Sequence, residues 1–290
     1  MPPVSTHLQP DLPDTPVVFL HGYLESPGLW ATAQAQCAAL GIPTAALPLP
    51  GHHPCPMSAT ALTRAIADDT IIDIMASRIA TAFPDQPVRI VGHSAGALIA
   101  LCLAASRANL ITRLMLVGPL HRAEISGSRG ALVGAIGLPA VGAAVSHLLL
   151  RSWVGHPAVF RAGFTAASSR LITADLDTLQ SDMAQSDPAC LRQMLFWITR
   201  QHLTDALLKQ VQIPALIVLG TTDGVVPPQD QLDLLAALPE GRAVLLDTGH
   251  LPMLETPDVF ARLLAGWLAQ DMAPATAMAA RTTMDAALMR

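Results

Sequence analysis

Lysine is nearly missing from this chain. Lys209 is the single one, and Asp, Glu, Lys and Arg together make up only 13% of the 290 residues. With a formal net charge of −5, no basic patch stands ready for a nucleic-acid backbone or an anionic lipid surface. Cysteine is sparse too. The four, at positions 37, 55, 102 and 190, form no CxxC pair and no metal-ligand spacing. No disulfide framework is implied, and Cys102, in an apolar run, reads as a small hydrophobe. The opening stretch, "MPPVSTHLQPDLPDTP", lacks a basic start and an apolar core segment, so it does not read as a secretory signal. Residues 1–15 are expected to be a Pro-rich, loosely ordered lead-in to a cytoplasmic protein. No internal repeat is visible.

Apolar residues are abundant, at 51%, and the mean hydropathy is +0.43. Such a chain can bury a large core, and its length suits one large α/β domain or two small ones. Apolar runs ending at turn residues recur: "PVVFL" (16–20), "PTAAL" (43–47), "VRIV" (88–91), "RLMLV" (113–117), "PALIVL" (214–219) and "AVLL" (243–246). Runs without polar alternation suit strands buried on both faces of a parallel sheet. Helical stretches separate them at 29–40, 59–83, 96–106, 230–238 and 257–270. The alternation indicates a doubly wound, mostly parallel α/β sheet of about six main strands.

The interval between the fourth and fifth strands breaks that rhythm. Residues 120–210 hold helical stretches and no clear strand, and are expected to form an inserted helical cap over the carboxyl edge of the sheet, where open α/β sheets bind ligands. The core is then 16–119 with 211–270, followed by a C-terminal tail at 271–290. Residues 130–150 carry no Asp, Glu, Lys or Arg, long enough to span a bilayer. Gly130, Gly134, Gly137, Gly142 and Pro139 interrupt them, and paired short helices along an apolar site are expected instead of a membrane span. Lining a pocket, covering a homodimer interface and touching lipid are all open to this segment.

The chemistry sits in short stretches after the strands. Gly92-His93-Ser94-Ala95-Gly96 fits G-x-S-x-G, placed after a buried strand and before a helix. The two glycines remove side chains that would collide with the neighbouring strand and helix, so the serine can adopt a strained conformation with its hydroxyl exposed. The Ala95 N–H, at the start of a helix, can stabilise a developing oxyanion. A serine hydroxyl needs a base, and the base an orienting group. "LIVLGTTDGVVPP" places Asp223 just beyond the fifth strand, and "VLLDTGHLPMLETP" places His250 just beyond the sixth, at the edge that carries Ser94.

Four landmarks together, "HGYLESPGLW", "GHSAG", "GTTDGVVP" and "TGHLPMLETPDVF", resemble the α/β-hydrolase superfamily over roughly residues 16–269, the cap in position only. The resemblance implies Ser94 as nucleophile, His250 as base and then acid, and Asp223 as its orienting carboxylate. It makes His21-Gly22 the oxyanion loop, with the Tyr23 backbone N–H as second donor beside Ala95. His21 is expected to hold that loop by hydrogen bonds, and His93 to be structural. Where the superfamily often shows Asp-x-Pro-Gly-His-Gly, this chain has "LPGHHPCP", with Pro48 for the Asp and His53 for the last Gly; His53 is a candidate substrate contact. Glu124, after the fourth strand, is a backup for Asp223. Only sixteen residues precede Val17, where the superfamily's fuller members carry an antiparallel strand pair, so a shortened sheet is expected.

The implied reaction is hydrolysis of a carboxylic ester, thioester or lactone with a hydrophobic acyl or alkyl group, through an acyl-enzyme. No metal or organic cofactor is needed, and the partner is a small hydrophobic substrate. A carbon–carbon bond hydrolase, lyase or acyltransferase would use the same three residues. A non-catalytic or membrane-associated binding protein on the same scaffold is the alternative of another class. Epoxide hydrolases and haloalkane dehalogenases place Asp where Ser94 stands and are disfavoured.

Overall fold

The computed structural model describes residues 14–55, 57–122, 141–165 and 173–269. Most of the lead-in, Glu124, residues 130–140 of the apolar segment and the tail lie outside the described residues. The six strands are β1 (Val17–Leu20), β2 (Thr44–Leu47), β3 (Val88–His93), β4 (Ile111–Val117), β5 (Ala215–Gly220) and β6 (Gly241–Leu246). They form one sheet in the order β2-β1-β3-β4-β5-β6, and every pairing is parallel.

Burial explains the apolar runs. Every residue of β1, β3 and β4 is buried, while the edge strands β2 and β6 are half-buried, with Leu245 exposed. Successive side chains of a strand point to opposite faces. Val18 and Leu20 join Ile90, Leu114, Leu116 and Ile217 in one apolar layer; Val17 and Phe19 join Val91, Met115, Val117 and Val218 in the other. Each layer needs helices over it, which is why the strands carry no polar face.

Helices α1 (Ala31–Ala39), α2 (Ala59–Ala67), α3 (Ile71–Ala82) and α4 (Ala95–Ser106) connect the first four strands. The expected single helix over 59–83 is two. It breaks at Asp68-Asp69-Thr70, where Asp69 takes φ 54°, a left-handed conformation that short polar side chains tolerate. Helix α4 is apolar on all sides because it is buried on nearly all sides.

Among the described residues five helices follow β4 before β5 begins: α5 (Val141–Gly155), α6 (Pro157–Thr165), α7 (Thr173–Met183), α8 (Pro188–Arg200) and α9 (Asp205–Leu208). Among the described residues of this interval the only extended pairing is a single antiparallel bridge between Arg122 and His202. Helices α7 and α8 and the turn between them are tied to the loops leaving β1 and β2. Ser26 Oγ donates to Asp182 Oδ2 at 2.6 Å, Tyr23 Oη donates to Leu191 O at 3.1 Å, and His53 N donates to Ser186 Oγ at 2.9 Å. Helices α10 (Pro228–Ala237), α11 (Pro252–Glu255) and α12 (Pro257–Ala269) complete the chain's described part. Among the described residues no helix is long and apolar enough to cross a membrane.

Candidate active site

Ser94 stands between the last residue of β3 and the first of α4 with φ 50° and ψ −112°. A non-glycine residue there carries about 1–3 kcal/mol of strain, held only because its surroundings over-determine it. Those surroundings are visible. Ser94 N donates to Val117 O at 3.0 Å, and Ser94 O accepts from Ala97 N and Leu98 N at 3.0 and 3.1 Å. The flanking glycines are required by space. A Cβ on Gly92 would lie 2.8 Å from Gly96 O and 2.9 Å from Ala97 N, and one on Gly96 would collide with the Leu20 and His21 carbonyls. Gly96→Ala is therefore expected to destabilise the fold by about 1–3 kcal/mol. Thermal unfolding measures this, and an unchanged midpoint would refute the close approach of α4 to β1.

The same approach brings the start of α4 against the end of β1 and the loop that follows it. Ala95 N is the first amide of α4 and has no carbonyl a turn earlier to bond. Tyr23 follows the His21 carbonyl that Gly96 abuts, and among the described residues no acceptor takes its N–H.

Asp223 and His250 lie on loops that are stitched together. Thr222 N and Thr222 Oγ1 both donate to Thr248 O, at 3.0 and 2.9 Å, and Gly220 is so close to Gly249 that a Cβ would overlap its carbonyl. His250 Nδ1 lies 2.8 Å from Asp223 Oδ2, and both side chains are buried. Asp223 Oδ1 accepts from Val225 N and Val226 N at 2.8 and 2.9 Å, and Oδ2 accepts also from Gln231 Nε2 at 3.0 Å. Burial opposes the charge of Asp223, but the His250 hydrogen bond and charge and the two amides outweigh it and hold its carboxyl below the ordinary range. The His250 ring packs on Gly118, which takes φ 51°; a Cβ there would sit 3.0 Å from Nδ1. Gly118 directly follows Val117, the residue that accepts from Ser94 N, so the imidazole is carried next to Ser94.

His21 does not face the solvent. Its Nδ1 donates to Gly22 O at 2.8 Å and its Nε2 accepts from Leu49 N at 3.0 Å, joining the loop after β1 to the loop after β2. Burial, only partly opposed by the Gly22 carbonyl and Glu25, lowers its pKa to about 4. His52 accepts from Leu24 N at 3.1 Å and stacks edge-on against Tyr23; burial and His21 lower it to about 3. His53 is half-buried, and it is its main-chain N–H that reaches Ser186. The structure thus brings Ser94, Asp223, His250, Tyr23 and Ala95 to one edge of the sheet, with His21, Gly22, Gly92, His93 and Gly96 shaping it.

Three residues that sequence reasoning passed over support this edge. Gln231 is fully buried and also donates to Val226 O at 2.9 Å. Glu255 straddles His250: Gly249 N donates to Oε2 at 2.8 Å and Leu251 N to Oε1 at 3.1 Å. Glu25 accepts from Gly22 N at 2.5 Å and lies 2.9 Å from His93 Nδ1. A signal existed for the two glutamates. The chain has only four, at 25, 124, 240 and 255, and two of them fall inside landmark motifs. Glu255→Gln leaves an NH2 group facing one of the two amides, which loosens the loop. A loss of kcat of about 10–100-fold is expected, checked by steady-state kinetics at saturating substrate; wild-type kcat would remove Glu255 from this role.

A six-stranded parallel sheet with helices on both faces, a serine in a strained turn after β3 and an Asp-paired histidine after β6 are the parts of a hydrolase. The chain belongs to the alpha/beta hydrolase family, whose model matches residues 17–263. Among curated proteins it is similar to the pimeloyl-[acyl-carrier protein] methyl ester esterase of Aromatoleum aromaticum, 26% identical over 265 residues covering 88% of this chain and 97% of that one. The protein of the same name from Neisseria meningitidis serogroup C is 26% identical over 233 residues, 76% of this chain and 81% of that one. Among solved structures, an enol-lactonase from Burkholderia xenovorans has a TM-score of 0.63 at 20% identity, covering 88% of this chain and 92% of its own. An esterase from Exiguobacterium antarcticum has a TM-score of 0.68 at 15% identity, with coverage of 88% and 92%. These likenesses concern the fold.

Proposed function

We propose that the protein is a serine esterase that hydrolyses a carboxylic ester with an apolar acyl group through an acyl-enzyme. The observation that carries this reading is Ser94 at positive φ beside a histidine that a buried aspartate holds at 2.8 Å. Ser94 Oγ attacks the ester carbonyl carbon while His250 Nε2 takes its proton. The oxygen that becomes negative is received by the Ala95 and Tyr23 N–H groups, each worth about 10²–10³ in rate. His250 returns the proton to the departing alcohol. It then takes one from water, which attacks the acyl-enzyme, and hands it to Ser94 Oγ as the acyl–oxygen bond breaks and the acid leaves. Asp223 keeps the imidazole proton on Nδ1, so that Nε2 is free to accept. Among the described residues Ser94 Oγ and His250 Nε2 have no hydrogen-bond partner; such contacts tighten when substrate is bound.

The helices between β4 and β5 form the cap over this edge, and the apolar segment at 130–150 supports a hydrophobic acyl chain. Curated relatives named as esterases of pimeloyl-carrier methyl esters support an ester with a small alcohol and an extended acyl chain. The test is a p-nitrophenyl ester series from acetyl to dodecanoyl, with mass mapping of the peptide labelled by a fluorophosphonate. Turnover together with a label on Ser94 is the expected result. A folded protein that turns over none of the esters and takes no label would overturn the reading.

A further inference from the structure

Three buried histidines, His21, His52 and His93, lie at or just beyond the ends of β1, β2 and β3, and the partners of each ring determine its charge. His21 faces one acceptor and one donor, Gly22 O and Leu49 N. His52 does the same with Pro50 O and Leu24 N. Both are satisfied as neutral rings, which have one N–H and one lone pair. His93 differs. Its Nδ1 lies 2.9 Å from Glu25 Oε2 and its Nε2 lies 2.9 Å from His250 O, and both partners are acceptors. A neutral ring would turn a lone pair toward one of them. Only an imidazolium donates to both. Glu25 Oε2 meets two donors, His93 Nδ1 and Gly22 N, and so is suited by the carboxylate. The two side chains are 0% and 4% exposed, so water compensates neither charge.

We propose that Glu25 and His93 form a standing carboxylate–imidazolium pair that clamps the loop of Gly22 and Tyr23 to the loop of His250, positioning the oxyanion donor and the general base on either side of Ser94. The positioning role rests on the esterase reading above; the charge state of the pair does not. The span covered is large in sequence, 68 residues from His93 to Glu25 and 157 from His93 to His250. One side chain therefore joins the ends of β1, β3 and β6. Burial by itself would strip the proton from His93. The Glu25 charge and hydrogen bond, the His250 carbonyl and Asp223 outweigh it and raise its pKa. Burial likewise opposes the Glu25 charge, and His93, the Gly22 amide and His21 outweigh it and lower that pKa. The other titratable groups facing the pair are His21, Asp223 and the His250 ring, whose centroid lies 4.6 Å from that of His93. Glu25 and His93 are positioning residues; neither touches the reacting atoms.

The test begins with the wild-type chain. Long-range 15N–1H spectra of the histidine rings, from pH 6 to pH 9, should show one ring that keeps the imidazolium pattern at pH 8, where an ordinary histidine of pKa about 6.5 is neutral. The same ring should turn neutral in Glu25→Gln. Neutral patterns for all ten histidines at pH 8 in the wild type would overturn the pair, and this arm requires no variant to fold. The second arm is kinetic. Per active site titrated with a fluorophosphonate, Glu25→Gln should lose about 10–100-fold in kcat for an ester, with little change in KM. Wild-type kcat per titrated site would refute the positioning role. If the wild type were inert to esters, the rate of fluorophosphonate labelling at Ser94 is compared instead, so failure of the esterase reading and failure of the pair are separately visible.

Discussion

Ser94→Ala is expected to lower the turnover of the preferred ester by at least about 10⁴-fold, while the protein stays folded. The loss comes from one atom. Without Oγ there is no acyl-enzyme, and water would have to attack directly. The fold is spared because what holds the turn is backbone: Ser94 N on Val117 O, and Ser94 O on the amides of Ala97 and Leu98. Alanine can make the same three hydrogen bonds, and its Cβ occupies the place of the serine's. Circular dichroism and thermal unfolding should therefore match the wild type closely. A variant that keeps a tenth of the activity would mean that another group is the nucleophile.

Asp223→Asn is expected to lower kcat by about 10³–10⁴-fold and also to destabilise the protein. The cause lies in how fully the carboxylate is used. Oδ1 accepts two amides, and Oδ2 accepts Gln231 Nε2 and the His250 ring. An asparagine places its NH2 against two donors whichever way it turns. Facing Val225 and Val226 it opens the loop. Facing His250 it imposes the other tautomer, with the proton on Nε2, where it can no longer accept from serine. The stability effect has a definite sign. Asp223 has its pKa lowered in the folded protein, so its contribution is present above the unfolded value of about 3.9 and is lost as pH falls through the folded value. The melting temperatures of wild type and variant should thus differ at neutral pH and approach one another in acid. Equal melting temperatures at pH 7, or a kcat within tenfold of wild type, would show that the carboxylate does not orient His250.

Both variants concern residues that were legible in the chain itself, and the reason is physical. A parallel strand buried on two faces must be continuously apolar, so each of the six apolar runs marked a strand to within about two residues. The turn around Ser94 needs glycine on either side because the flanking strand and helix leave no room for a Cβ, and that demand is written in five consecutive residues. Asp223 and His250 could be placed because each follows a strand end directly. The break between α2 and α3 was missed because the helical pattern continues on both sides, and only the left-handed backbone at Asp69 interrupts it.

What the supporting residues do was beyond such reasoning. Nothing local distinguishes Gln231 from Gln229, the other glutamine on α10; it matters because β5 and α10 fold so that its amide meets Asp223. Glu255 stands out in the sequence only as one of four glutamates; its task shows when the turn of α11 brings its carboxylate back under the amides of Gly249 and Leu251. Glu25 and His93 lie on segments that meet only through the pairing of β1 with β3. By itself, then, the sequence determined the six strands, their order along the chain, and the places of Ser94, Asp223 and His250 beyond the strand ends, because these depend on steric demands that act over a few residues. The tertiary structure alone decided which carboxylates face which amides and which buried histidine carries a charge, because hydrogen-bond partners and desolvation come from segments far apart along the chain.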